Sequence, residues 1–252
     1  MSENAPAAWD SCDAYERYVG RWSRVVAAEF LRWLAPSRGL AWADVGCGTG
    51  ALTSGILTTC EPTSVSGIDS SEKFVAQTQQ RIRDRRARFE VGDATHVPWD
   101  SNRFDAAVSG LVLNFVRDQE GMVREMARVT RPGGLVAVYA AVAVSPTDAN
   151  IDEGERFPIC QPGPLRALFE SVGLGSVTVR AIDIPTVFAT FDDYWQPFLG
   201  GTGAAPAYLA SVRDETRERI RLYLASQLAA AQDKRIDLTA RAWAVQGKAA
   251  GG

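Results

Sequence analysis

Short apolar runs and stretches of helical period take turns along most of this chain. From Leu40 onward, apolar runs at Leu40–Val45, Ser64–Ile68, Arg88–Val91, Phe104–Ser109 and Leu135–Ala141 read as strands. The segments between them, Ala51–Cys60, Ser71–Arg86 and Asp118–Val129, carry helical spacing, with Ser70 and Ser71 as caps of the second and Glu72 in its first turn. Such alternation marks repeated βαβ units, so the expected fold is α/β, doubly wound, around a mainly parallel sheet. Two amphipathic segments precede it, Ala14–Val19 and Trp22–Leu34. In the latter Val25, Val26, Phe30, Leu31 and Leu34 recur at helical spacing and Pro36 lies just beyond.

Beyond Pro162 the pattern predicts a helix over Leu165–Val172, closed by Gly173, then strands over Ser176–Ile184 and Asp237–Val245. In the last, Leu238, Ala240, Ala242 and Ala244 alternate with Thr239, Arg241, Trp243 and Val245. Two strands so near the C-terminus, separated by Pro185–Arg235, predict an antiparallel ending with a helical insertion. No internal repeat or low-complexity linker interrupts the 252 residues. One domain is therefore expected: an N-terminal helical cap over residues 1–38, a core over 39–184, an insertion or lid over 185–235, and the last strand and tail over 236–252.

Composition narrows the chemistry. An apolar share of 46% with 23% charged residues is that of an ordinary soluble domain, and the net charge of -3 supplies no basic field for nucleic acid. Arg81, Arg83, Arg85, Arg86 and Arg88 gather at the end of the second helix, where they complement its dipole and solvate the surface. Cys12, Cys47, Cys60 and Cys160 show no paired spacing, and His96 is a lone histidine, so no metal set is expected and the reducing cytoplasm is the expected compartment. The opening residues have no basic and apolar leader pattern, and the apolar run Leu135–Val144 is too short to span a bilayer as a helix.

The segment Asp44-Val45-Gly46-Cys47-Gly48-Thr49-Gly50 runs from a strand through glycines into a helix, a context that brings backbone close to a ligand at a helix N-terminus. With Ala51 as the last small residue it also satisfies the looser dinucleotide fingerprint. Asp44 breaks the tie, because a carboxylate at the end of the first strand repels a pyrophosphate and welcomes an ammonium. Asp69 ends the next strand and suits two ribose hydroxyls, while Asp93 follows the third and suits an exocyclic adenine amine. Each carboxylate alone reads equally as a loop cap. Three at successive strand ends, on the edge where open α/β sheets bind ligands, point to one adenosyl cofactor.

The stretches ADVGCGTGALT (Ala43 to Thr53), GIDSSEKFVAQTQ (Gly67 to Gln79), VGDATHVPWDSNRFDAAVSGLVLNFV (Val91 to Val116) and REMARVTRPGGLVAVY (Arg124 to Tyr139), with YERYVGRWSR near the start, resemble the class I S-adenosylmethionine-dependent methyltransferases. Within them the chain is similar to the small-molecule methyltransferases of the ubiquinone and menaquinone type. The resemblance implies a seven-stranded sheet with an antiparallel last strand, and S-adenosyl-L-methionine as cofactor. It implies that Gly46, Cys47 and Gly48 cradle the methionine part with Asp44 near its amino group, that Asp69 and Ser70 hold the ribose, and that Asp93 with Ala94 holds the adenine. Ser109, at the end of the fourth strand, completes this side of the site. In similar enzymes the N-terminal helices fold over the cofactor, so the resemblance implies that Tyr18 and Arg21 face it, with Arg21 against its carboxylate, and that Tyr15 and Trp22 shape the acceptor pocket. Packing of an amphipathic helix explains all four equally.

Asn114 lies in an apolar run after the fourth strand and is the candidate catalytic residue, an amide able to orient an acceptor, although a turn or cap role explains it equally. His96 sits beyond the adenine motif, where a loop role outweighs that of a base. Tyr194 and Trp195, in an aromatic insertion beside Gly200-Gly201-Thr202-Gly203, suit a lid over an apolar acceptor, a homodimer contact or a satellite core. The region Ala141–Pro158 is shorter than in similar enzymes, which bears on acceptor binding. The expected activity is methyl transfer to an oxygen, nitrogen or carbon nucleophile of a small, partly apolar or aromatic metabolite. The alternatives are a nicotinamide-dependent oxidoreductase, which Asp44 disfavours, and a cofactor-binding protein without turnover.

Overall fold

In a computed structural model of the chain, the described residues are 19–145, 157–200, 204–228 and 235–251. The expected helix at Ala14–Val19 falls outside them apart from its last residue, as do Tyr15, Tyr18, Cys12, positions 201–203 of the glycine hinge and most of the short region after the fifth strand.

Among the described residues, helix α1 (Arg21–Leu34) leads into β1 (Ala41–Val45), α2 (Ala51–Thr59), β2 (Ser64–Asp69), α3 (Glu72–Arg81), β3 (Ala87–Val91) and β4 (Phe104–Gly110). A 3-10 turn (Leu113–Phe115) and α4 (Gln119–Val129) then precede β5 (Thr130–Ser145), a second 3-10 turn (Pro158–Cys160), α5 (Pro162–Ser171) and β6 (Gly175–Phe188). Helices α6 (Phe191–Trp195), α7 (Ala204–Ser211) and α8 (Asp214–Leu228) separate β6 from β7 (Ile236–Lys248).

The seven strands form one sheet in the order β3-β2-β1-β4-β5-β7-β6. β1 pairs in parallel with both β2 and β4, so the order reverses at β1 and opens a crevice beyond its carboxyl end. β7 runs against its neighbours. Gly133 at the start of β5 donates to the carbonyl of Ala249, just past the end of β7, and Ala249 donates back to Gly134. The expected doubly wound sheet with an antiparallel last strand is thus found.

The chain resolves into two compact units. The larger runs over Ser23–Ile184 and from Ala240 onward; the smaller comprises Pro185–Thr239 and the described residues up to Trp22. The core of the larger unit is built from the apolar positions of strand and helix period, with Phe104, Met122, Met126, Leu165 and Phe169 all fully buried. The smaller unit holds an aromatic cluster in which Phe188, Tyr194 and Ile236 are buried and Trp22, Phe191 and Phe198 pack on them.

Local chemistry sets the element ends. The Ser71 hydroxyl accepts from the Phe74 amide at 3.3 Å and caps α3, as its sequence position predicts. The same helix stops at Arg81 rather than continuing to Arg86, because Ile82 is extended and Asp84 gathers the backbone and guanidinium of Arg86 into a tight turn, with Oδ2 to Nη2 at 2.7 Å. Arg83, Arg85 and Arg86 therefore lie beyond the helix end. Met126 on α4 has no exposed surface and packs within the main core, so Met126→Ala should lower the unfolding free energy by about 2 to 5 kcal/mol. Chemical denaturation measures this, and a loss below about 0.5 kcal/mol would mean the core is not packed as described.

Candidate functional site

The site is built at the carboxyl edge of β1 to β4. Register fixes its depth: Asp44 pairs with Gly67 and Val108, while Asp69 pairs with Val91 at the upper edge. Asp44 thus sits below the rim and Asp69 on it.

Between them runs the glycine loop, and two of its positions demand glycine for different reasons. Gly46 has φ +77°, and a Cβ there would lie 2.5 Å from a methyl of Val112. Gly48 has φ +51°, with nothing within 4 Å of an added Cβ, so its backbone borders open space. Four of the amide donors of this loop are spent inside the protein. Gly46 and Cys47 both donate to the Ile68 carbonyl, at 2.7 and 2.9 Å, Gly48 donates to Asp69 Oδ2 at 2.9 Å, and Gly50 to the Cys47 carbonyl at 2.8 Å. A phosphate nest needs such N–H groups free. With the three glycine amides and that of Cys47 engaged, this loop has few donors left for an anion.

Asp44 is fully buried. Its Oδ2 accepts from the Thr53 hydroxyl in the first turn of α2, at 2.5 Å, and its Oδ1 has no partner. Burial pushes its pKa up to about 7, and the neighbouring Asp69 adds to the rise against the Thr53 hydrogen bond. Asp69 is also raised by burial, against the lowering effect of the Ser71 and Gly48 amides that it accepts from. Each of its oxygens keeps a second lone pair for a ligand hydroxyl. Asp93 differs: it is exposed, its Oδ1 accepts from the amide and hydroxyl of Thr95, and these bonds hold its pKa below the usual range.

A cavity of about 370 Å³ joins Asp69 and Asp93. One wall carries Gly46, Asp69, Asp93 and Ala94; the other carries Val112 and Phe115 to Asp118, from the turn after β4 and the cap of α4. Its volume lies in the range of small-ligand pockets. Ser109, at the end of β4, is buried with an unpartnered hydroxyl, and the 3-10 turn beyond it carries Asn114, whose Oδ1 is buried without a partner.

The structure therefore brings Gly46, Asp69, Ser70, Asp93 and Ala94 to one cavity, with Cys47 and Gly48 in the same loop and Asp44 beneath it. Arg21, Trp22, Tyr194 and Trp195 belong to the smaller unit and to its aromatic cluster. There Arg21 donates to Asp193 at 2.9 Å and to the Val187 carbonyl at 3.1 Å, and its guanidinium lies 4.5 Å from the Trp22 ring centre. Tyr194 and Trp195 are buried, as a satellite core requires. His96 is exposed and its Nδ1 meets the Thr95 hydroxyl at 3.0 Å. Sequence reasoning passed over Thr53 and Val112, the one holding Asp44 and the other closing the space above Gly46. The signal for Thr53 was a hydroxyl in the first turn after the glycines.

Residues 43–138 match the family described as methyltransferase domain. The demethylmenaquinone methyltransferase of Desulfitobacterium hafniense is 34% identical over 103 residues, 39% of this chain and 41% of that protein. That of Roseiflexus sp. is 37% identical over 102 residues, 40% and 42% of the two chains. The match thus spans about two fifths of the length of these curated relatives. Among solved structures, the YcgJ protein from Bacillus subtilis has a TM-score of 0.60 at 20% identity, covering 90% of this chain and 99% of that one. Phosphoethanolamine N-methyltransferase 2 of Haemonchus contortus, in complex with phosphomonomethylethanolamine and S-adenosylhomocysteine, has a TM-score of 0.61 at 17% identity, covering 96% of this chain and 57% of that one. These last two likenesses are of fold.

The raised pKa of Asp44 has a definite consequence for stability. Its folded value of about 7 exceeds the ordinary 3.8, so the native state holds the extra proton between these limits. The contribution is fully present below pH 3.8 and is lost as pH rises through 7. Asp44→Asn, which keeps the shape without the charge, should match the wild type near pH 4 and exceed it by at least about 1 kcal/mol at pH 8 in ligand-free protein. Denaturation curves at the two pH values measure this; an equal gap at both would mean that the carboxyl is not buried as described.

Proposed function

We propose that this chain, a member of the class I S-adenosylmethionine-dependent methyltransferase superfamily, transfers a methyl group to an oxygen, nitrogen or carbon nucleophile of a small, partly apolar or aromatic metabolite. One observation carries the reading. Beneath a glycine loop with four of its amides already engaged lies a fully buried carboxylate with an unanswered oxygen, and such a site suits an ammonium over a pyrophosphate.

When bound, S-adenosylmethionine supplies an activated methyl group on a sulfonium. The chain's own residues bind and align. Asp44 Oδ1 takes the ammonium of the methionine part, whose backbone-like atoms lie along Gly46, Cys47 and Gly48. Asp69, with Ser70 beside it, holds the ribose hydroxyls on its free lone pairs while the Gly48 and Ser71 amides fix its orientation. Asp93 and Ala94 hold the adenine. Ser109 offers its unpartnered hydroxyl from the edge of β4 to the same ligand. Asn114 is the acceptor-side residue: its amide orients the nucleophile for in-line displacement, a reaction that asks chiefly for alignment and exclusion of water. Removal of an acceptor proton by a side chain is needed only where the nucleophile arrives protonated.

Asp69→Ala should weaken S-adenosylmethionine binding by about 1 to 3 kcal/mol, because two hydroxyls lose their acceptor. Isothermal calorimetry on the folded variant measures the change, and unchanged affinity would reject the ribose assignment. For the activity itself, wild-type protein incubated with methyl-labelled S-adenosylmethionine and fractionated metabolite pools should place label on a small molecule. Tight cofactor binding with no labelled product across broad pools would favour a binding protein without turnover.

A further inference from the structure

The loop after β3 carries the residues proposed to hold the adenine, and it has no regular structure of its own between Gly92 and Asn102. Two anchors sink into the protein: Val97 and Trp99 are buried, while His96 and Pro98 between and beside them are exposed. Trp99 packs edge-on against Phe104, with ring centres 5.0 Å apart, and its indole donates to Glu90.

The backbone of this loop is grasped by one ion pair on α4. Glu125 Oε2 accepts from the Val97 amide at 3.0 Å. Arg128 donates to the Val97 carbonyl at 3.2 Å and, through its other terminal nitrogen, to the Trp99 carbonyl at 2.9 Å. The two side chains lock each other, Nε to Oε1 at 2.6 Å and Nη2 to Oε2 at 2.8 Å. Glu125 is held in its charged form by Arg128. The first turn of the same helix is capped by Asp118, which lines the wall of the cavity opposite Asp93 and Ala94. Helix α4 thus touches both walls: its cap forms one, and its Glu125–Arg128 pair fastens the loop that forms the other.

We propose that Glu125 and Arg128 are positioning residues for the cofactor site, acting through the loop backbone to hold Asp93 and Ala94 at the distance from the turn after β4 that an adenine needs. This rests on the methyltransferase reading above. The planar fork of Arg128 serves Glu125, two backbone carbonyls and the Ser101 hydroxyl at once, a task a lysine ammonium cannot reproduce in the same geometry. A pair that merely stabilised the fold would change the melting temperature and leave the selectivity of the site alone.

The test is a double-mutant cycle read in S-adenosylhomocysteine affinity by calorimetry, with the melting temperature of each variant recorded alongside. Arg128→Lys in the full chain should weaken binding about tenfold, and by less than about twofold once Asp93 is already Ala, because the two substitutions disable one contact. Inosine and adenosine serve as base probes. The wild type should prefer adenosine, and Arg128→Lys and Asp93→Ala should both erode that preference. Should Arg128→Lys fail to fold, Glu125→Gln enters the same cycle, as its amide oxygen still accepts from Val97 while the ion pair is gone. Additive effects, or an unchanged adenosine preference, would overturn the positioning role. A wild type that binds no S-adenosylhomocysteine would instead overturn the cofactor reading itself.

Discussion

A carboxylate taken wholly out of water with one oxygen unanswered is the constraint from which the rest of this site follows. Isolated in apolar surroundings such a group costs several kcal/mol, and the protein meets the cost in part with the Thr53 hydroxyl and in part by raising the pKa of Asp44 to about 7. The remainder is unrelieved in the chain itself. A ligand ammonium placed against Oδ1 removes it, so the energy stored in burying Asp44 becomes affinity for a cationic amino-acid group. The neighbouring Asp69 raises the same pKa and sharpens the same preference.

The glycine loop completes this logic by what it withholds. In a dinucleotide site the loop amides face the ligand and bind phosphate. Here three of them turn back to β2, two to the Ile68 carbonyl and one to the Asp69 carboxylate. That arrangement fixes Asp69 in orientation, draws β2 to the loop and leaves the open side of Gly48 as a surface for neutral or cationic atoms. One set of hydrogen bonds therefore orients Asp69, the ribose acceptor of the proposed function, and takes three amides away from a pyrophosphate.

Much of this was legible in the sequence because it is local. Strand, glycines and helix follow one another within a dozen residues, and the acids at the ends of β1 and β2 are set by the period of the βαβ repeat. The cap at Ser71 and the reversal of β7 came from equally short patterns. Other features depend on partners distant along the chain. Arg21 reads as a ligand-facing cation until Asp193, 172 residues away, engages it. The direction of the loop amides depends on Ile68 of a neighbouring strand. The overlong third helix shows the limit of helical spacing: the arginines continue the pattern, but a single aspartate folds Arg86 back into a turn. Tyr194 and Trp195 show the same limit, since aromatic content suits a lid and a satellite core alike and packing alone distinguishes them.

The central claim is electrostatic and can be measured through protons. Binding of S-adenosylmethionine near pH 6.5, followed by calorimetry in buffers of different ionisation enthalpy, should release protons to the solvent as the ammonium drives Asp44 into its charged form, and Asp44→Asn should release none. Binding without that release in the wild type, or retention of NADH in place of the sulfonium cofactor, would contradict the account.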